Sequence, residues 1–219
     1  VDGKGGANTL ELSTGVHTLT TNSKLLNIQT IKTNSSGSQL DLTNQSEDFT
    51  VEVGAGTDNV KGGSGADTIK VNSAGQGNAD TLDGGAGTSD ILQLSAGSHS
   101  FTDNSKLVNV ETIKGHASSA TTVVLTGQLE TLKVDGGSAG DTITGGNGDD
   151  IITGGGGDDI IAGGAGDDSL TGNADNDTFK VDGGTDTITD LATGDIVVVS
   201  NSAKAQATGI TAFEATSDT

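Results

Sequence analysis

The chain has no cysteine, so neither a disulfide framework nor a thiolate metal site can hold it together. It has no proline either, which leaves its turns to Gly, Asn, Asp and Ser. Arginine, methionine, tryptophan and tyrosine are also absent, and the aromatics are limited to Phe49, Phe101, Phe179 and Phe213. With only 31% hydrophobic residues in 219, a wide three-dimensional core is not expected. No apolar run approaches the roughly 18 residues of a membrane span, and no signal-peptide pattern stands at the start. The chain opens at Val1 inside a repeat-like phrase, without an initiator methionine, and reads as an excerpt of a longer protein.

Basic charge is scarce as well. Ten lysines face thirty acids for a net charge of −20, which argues against nucleic acid or an anionic membrane surface as partner. Only Glu11, Glu47, Glu52, Glu111, Glu130 and Glu214 are glutamates, so the acids are overwhelmingly aspartate. Solubility alone would not distinguish the two acids, whereas an excess of the shorter one suits tight, loop-borne oxygen sites for a polyvalent cation.

What is present in quantity is periodicity. From Gly136 to Thr189 one nine-residue phrase recurs six times without a gap: GGSAGDTIT, GGNGDDIIT, GGGGDDIIA, GGAGDDSLT, GNADNDTFK and VDGGTDTIT. Aspartate holds the sixth place of every copy, at Asp141, Asp150, Asp159, Asp168, Asp177 and Asp186. An apolar residue holds the eighth, at Ile143, Ile152, Ile161, Leu170, Phe179 and Ile188. Such a fixed period indicates a solenoid, in which each turn buries its apolar residues only against its neighbours.

A longer repeat encloses the short one. The stretch from Asp2 to Lys32 is echoed from Asp83 to Lys114, with most equivalent positions 82 apart. Each copy leads through a β-prone link, with Leu40, Leu42, Val51 and Val53 in the first and Val123, Val124, Leu125, Leu132 and Val134 in the second. The first nonapeptide block is shorter and rougher. Val53 to Lys61 and Gly62 to Lys70 fit the period, Gly75 to Asp83 fits loosely, and Gly84 onward slips by one so that Asp90 falls late. DIVVVS echoes DILQLS, and ITAFEA echoes LVNVET, so a third unit begins near the end. The expected organisation is a spacer over 1–52, a short block over 53–83, a second spacer over 84–135, a main block over 136–198 and the start of a third spacer over 199–219.

Glycine-rich hexads cannot sustain helices, and the Thr/Ile/Val triplets beside them favour strands, so the expected fold is all-β. LLNIQTIK and LVNVETIK, with apolar Leu26, Ile28, Ile31, Val108, Val110 and Ile113, are read as short solenoid strands. Glycines at places one, two and four are expected to supply positive φ, letting the loop turn sharply and aim its carbonyls at one point. Two phrases make a turn of eighteen, so the aspartates sort into two rows. Asp141, Asp159 and Asp177, continued by Asp195, line one edge; Asp150, Asp168 and Asp186 line the other. Neighbouring turns lie about 4.8 Å apart. At about 4 Å, two bare carboxylates repel by roughly 4 kcal/mol at an effective dielectric near 20, and a hard divalent ion reverses the sign. The plainer alternative is a solvated acidic turn without metal.

The blocks resemble RTX repeats, the GGxGxDxUx β-rolls of bacterial proteins exported by type I secretion. The resemblance covers roughly Val53 to Asp83 and Gly136 to Val198. It implies a parallel β-roll with several calcium ions between successive turns. The ligands it implies are Asp58, Asp67, Asp80, Asp141, Asp150, Asp159, Asp168, Asp177, Asp186 and Asp195, with loop carbonyls at Gly145, Gly148, Gly154, Gly157, Gly163 and Gly166. It further implies a chain disordered inside the cell that folds outside. Departures occur at Ala139 and Asp175, which replace the fourth glycine, at Asn173, which replaces the second, and at Asn8, which stands where aspartate is expected.

No catalytic constellation accompanies these repeats. His17, His99 and His116 form no HExxH pair, there is no GxSxG elbow or P-loop, and the GAG and GNG phrases open no helix. His17 and His99 occupy equivalent spacer positions and are assigned one repeated structural role. The expected function is therefore a non-enzymatic, calcium-binding structural segment of a secreted bacterial surface protein, most like an S-layer protein, that self-associates into a lattice. The alternatives are the folding and secretion module of an exported enzyme or toxin, and a segment of a large adhesin.

Overall fold

The computed structural model describes residues 2–19, 25–74, 79–200 and 203–207, together with the backbone of strand Ala215–Thr216. Every regular element among them is a β-strand of two to five residues, and every pairing is parallel. The chain divides into two compact units, one formed by Val1–Ser95 and Ser105–Thr112, the other by Ala96–Asn104 and Ile113–Thr219.

In the first unit, Thr9–Glu11, Thr30–Lys32, Thr50–Val53, Thr68–Val71 and Ile91–Leu94 pair in chain order as one ribbon. A second ribbon pairs Gly15–Thr18, Ser38–Asp41, Asn59–Lys61, Thr81–Asp83 and Leu107–Val108. The chain visits the two ribbons alternately, which makes the unit a parallel β-solenoid. Its inner ladder runs through Ile31, Val51, Ile69 and Leu92 on one side and Leu40, Val60 and Leu82 on the other, all buried.

The second unit repeats the design with a stricter period. Val134, Ile152, Leu170 and Ile188 stack on one ribbon, and Val123, Ile143, Ile161, Phe179 and Val197 on the other, each eighteen residues from the next except Val123 and Ile143, which are twenty apart. Every eighth-place residue is completely buried. Burial of such a side chain contributes about 1.5–3 kcal/mol, and because each contacts mainly the turns above and below, a narrow core suffices for a chain poor in apolar residues. Phe49, Phe101 and Phe179 are all buried, while Phe213 and the ITAFEA echo lie outside the described residues apart from the backbone of Ala215.

The spacers differ from expectation in detail. In LLNIQTIK only Thr30–Lys32 is a strand; Leu25 is buried, Leu26, bridged to Asp2, faces the other way and is exposed, and Asn27 follows with a left-handed φ of 57°. In LVNVETIK the strands are Leu107–Val108 and Thr112–Lys114, separated by Asn109 at φ 51°. The two equivalent histidines also part company. His99 is buried, whereas His17 is half-buried with its Nε2 2.9 Å from the Ser13 carbonyl oxygen.

Candidate metal centre

In the main block a short strand begins one residue after each sixth-place aspartate except Asp186, which lies inside Thr185–Ile188, so the strand ladder itself sets where these carboxylates sit. In the main block the Oδ1 atoms of Asp159, Asp177 and Asp195 accept the backbone N–H groups of Asp141, Asp159 and Asp177, one turn earlier, at 2.7–3.0 Å. On the other edge Asp168 and Asp186 accept from Asp150 and Asp168 at 2.8 and 3.1 Å. The rows are anchored at their N-terminal ends by Thr121, which donates to Asp141, and Leu132, which donates to Asp150. The two rows expected from an eighteen-residue turn are therefore present.

The short block is built alike. Asp58 accepts from Ser38 and Asp80 from Asp58; on the opposite edge Asp67 accepts from Phe49 and Asp90 from Asp67. Residues 75–78, the glycine end of the loosely fitting phrase before Asp80, lie outside the described residues.

With Oδ1 occupied by the ladder, the chemistry lies with Oδ2. The Oδ2 atoms of Asp58, Asp80, Asp90, Asp141, Asp159, Asp168 and Asp186 are buried and receive no hydrogen bond. Asp67 and Asp150 differ, since Gly63 and Gly146 donate to their Oδ2 atoms, and Ala192 donates to that of Asp195. At Gly136 and Gly145 the first glycine of the loop lies close to both Oδ2 and the next turn. A Cβ placed on Gly136 would lie 2.6 Å from Asp141 Oδ2 and 2.5 Å from the Gly154 carbonyl oxygen of the next turn. On Gly145 it would lie 2.8 Å from Asp150 Oδ2 and collide with the Gly163 carbonyl. A buried carboxylate oxygen that receives no donor, as at Asp141 Oδ2, is costly unless a proton or a cation intervenes.

Burial has the matching electrostatic effect. Loss of water, opposed only in part by the ladder hydrogen bonds and reinforced by neighbouring aspartates, pushes Asp159 and Asp168 up to about 7. The same causes raise Asp80, Asp90, Asp177 and Asp186 to about 6, and burial also raises Asp58, Asp67, Asp141 and Asp150. Among the described residues no three His, Asp or Glu side chains converge on one point. That is consistent with a site in which each turn contributes one carboxylate per edge and backbone carbonyls supply the other oxygens. The residues present thus fit a hard divalent cation that takes six to eight oxygens.

The glycines act partly otherwise than expected. At place one, Gly145, Gly154 and Gly163 do not have positive φ. They are required by space, because a Cβ on Gly154 or Gly163 would collide with Oδ2 of Asp159 or Asp168. Positive φ is found at place two of the first loop, Gly137, and at places two and four of later loops, as at Gly155, Gly157, Gly164 and Gly166, but not at Gly146 or Gly148, where a Cβ would strike the carbonyls of Gln128 and Glu130. The departures Asn173 and Asp175 keep the required conformation, with φ of 73° and 80°, as residues tolerant of that region can. Gly163→Ala is expected to lower stability in saturating calcium by about 1–3 kcal/mol through overpacking. Gly156→Ala, whose Cβ would meet nothing closer than 3.6 Å, should leave it unchanged, and paired thermal melts check the contrast.

Two groups escaped the sequence reading. Fifth-place aspartates form a second ladder running the other way, in which Asp149, Asp158 and Asp167 accept the N–H groups of Asp167, Asn176 and Thr185 from the following turn, and Asp48 accepts that of Ala66. The doubled DD in the sequence was their signal. The buried Gln45 and Gln128 reach back to the carbonyls of Leu19 and Phe101, and their own carbonyls accept from Ser64 and Asn147, so each seats the first turn of a block. The recurrence of Q-x-E at Gln45 and Gln128 was their only trace.

Fold and site together define a parallel β-roll with carboxylate-lined edges. The RTX calcium-binding nonapeptide repeat, as a family model of four copies, matches residues 50–73, 135–170 and 156–188, and these stretches are RTX repeats. No curated protein and no solved structure matches the chain. Among the described residues no helix is long and apolar enough to cross a membrane.

Proposed function

We propose that the chain is a calcium-binding structural segment of an exported bacterial surface protein, folded and stiffened by ions seated between successive turns. The observation that carries this reading is the set of buried Oδ2 atoms without donors, which occurs on both edges at Asp58, Asp80, Asp141, Asp159, Asp168 and Asp186. Asp58, Asp67, Asp80, Asp141, Asp150, Asp159, Asp168, Asp177, Asp186 and Asp195 supply the carboxylates, and the glycine loops, including Gly145, Gly148, Gly154, Gly157, Gly163 and Gly166, supply carbonyls. When bound, calcium neutralises the stacked charge and cross-links neighbouring turns.

A structural role in a surface array of the S-layer kind is supported by the recurrence of whole spacer-plus-roll units. Asp2 and Asn27 in one spacer, and Asp83 and Asn109 in the next, make the same side-chain hydrogen bond, at 3.0 and 2.7 Å. Repeated rigid modules suit a lattice, whereas a catalytic role needs a convergent site that the sequence does not contain. Electron microscopy of the full-length protein tests this. Ordered sheets are expected with millimolar calcium and dispersed particles in excess chelator; sheets that persist in chelator would count against a calcium-built lattice.

A further inference from the structure

We propose that Asp90 and Glu111 form an additional divalent-cation site outside the matched repeats, and that Asn8 and Gln29 are its cation-free counterpart in the preceding spacer. The proposal rests on the calcium reading above and extends it to a turn that the nonapeptide period does not identify, because one extra residue separates Asp90 from its glycines in GGAGTSD.

The two turns share one framework. Asp2 Oδ1 accepts from Lys4 N and Asn27 Nδ2 at 2.9 and 3.0 Å, and Asp83 Oδ1 accepts from Gly85 N and Asn109 Nδ2 at 3.0 and 2.7 Å. Asn27 and Asn109 are both left-handed. Asn8 N donates to Gln29 Oε1 at 2.8 Å, and Asp90 N donates to Glu111 Oε2 at 2.7 Å. Within that common frame, two amides of the first spacer are replaced by two carboxylates in the second.

The replacement decides what the turn requires. Asn8 Nδ2 donates to the carbonyls of Asn27 at 2.9 Å, Gly6 at 3.1 Å and Gly5 at 3.4 Å, so the amide occupies a cradle of backbone oxygens. A Cβ on Gly3 would meet both that amide nitrogen and the Asn27 carbonyl. At the equivalent Gly84, a Cβ would meet the Asn109 carbonyl and would lie 2.8 Å from Asp90 Oδ2. Where the first spacer places an amide that donates to a carbonyl, the second therefore places a carboxylate oxygen that has no donor. Asp90 is 1% exposed, its Oδ1 accepts from Asp67 N at 2.7 Å, and its Oδ2 is buried without a donor. Oxygen ligands and two formal negative charges select a hard divalent ion of the calcium type. The Asn8 turn closes with its own amide and needs none.

Ion counting by equilibrium dialysis with atomic emission, on the full chain in saturating calcium, tests the inference. The parent chain establishes the reference count, and a parent that binds no calcium overturns the proposed function as a whole. Given a positive parent count, D90N/E111Q is expected to bind at least one ion fewer while keeping its β-sheet circular dichroism, since Asn8 and Gln29 show that amides fit this frame. E111Q alone, which leaves Asp90 in place, is expected to weaken at least one ion tenfold or more. If D90N/E111Q binds as many ions as the parent, or if E111Q leaves every affinity unchanged, the site is refuted even though the rolls bind calcium.

Discussion

In excess chelator at pH 7.5 the chain is expected to lose its β-sheet circular dichroism, and 1 mM calcium is expected to restore it. The size of the effect follows from the rows. Asp141, Asp159, Asp177 and Asp195 enclose three gaps, and Asp150, Asp168 and Asp186 enclose two. If each gap holds an ion with a dissociation constant of about 0.1 mM, then 1 mM calcium contributes roughly 1.4 kcal/mol per site and about 7 kcal/mol in all. That equals the net stability of many whole domains, about 5–15 kcal/mol. Magnesium at the same concentration should restore far less, because it keeps its water and demands a stiff octahedron. Retention of the full spectrum in chelator would show that the turns are held without ions.

Acid is expected to replace calcium. In the metal-free chain the buried aspartates have folded-state values above the ordinary 3.8, up to about 7 at Asp159 and Asp168 and about 6 at Asp80, Asp90, Asp177 and Asp186. The folded state therefore holds more protons than the unfolded state between pH 4 and 7, and stability must fall as pH rises through that window. The elevated carboxyls together therefore make the metal-free chain more stable near pH 4 than near pH 7.5. Calcium reverses the slope, because protons compete for the same oxygens and the loaded chain should weaken on acidification. Urea titrations in chelator at pH 4.5, 6 and 7.5 check the first sign, and the same series in 5 mM calcium checks the second. A metal-free chain that is most stable at pH 7.5 would contradict the burial of the Asp rows.

Much of this architecture is legible in the sequence. A period of nine fixes a turn of eighteen, and the pairing of Ile143 with Ile161 and Phe179 obeys it. The sorting of aspartates into two rows followed from the same count. What stayed hidden depends on three-dimensional crowding rather than on period. The first glycine of each loop is required by its closeness to Asp Oδ2, which no conformational argument about a single residue reveals. Leu26 points outward beside the buried Leu25, and a short apolar run carries no sign of which of two adjacent leucines faces in. Asp90 escaped because a one-residue slip in the loop hides a carboxylate that the strand ladder nevertheless aligns with Asp67. Glu111 extends the same row from a spacer with no nonapeptide at all.

The most direct measurement is anomalous diffraction from crystals grown in calcium, recorded at a wavelength where calcium scatters anomalously and compared with crystals soaked in chelator. The account predicts discrete peaks along both edges beside the Oδ2 atoms of Asp141, Asp159, Asp168 and Asp186, each between successive glycine loops and each lost on chelation. Edges without peaks, in crystals that hold stacked turns, would contradict it.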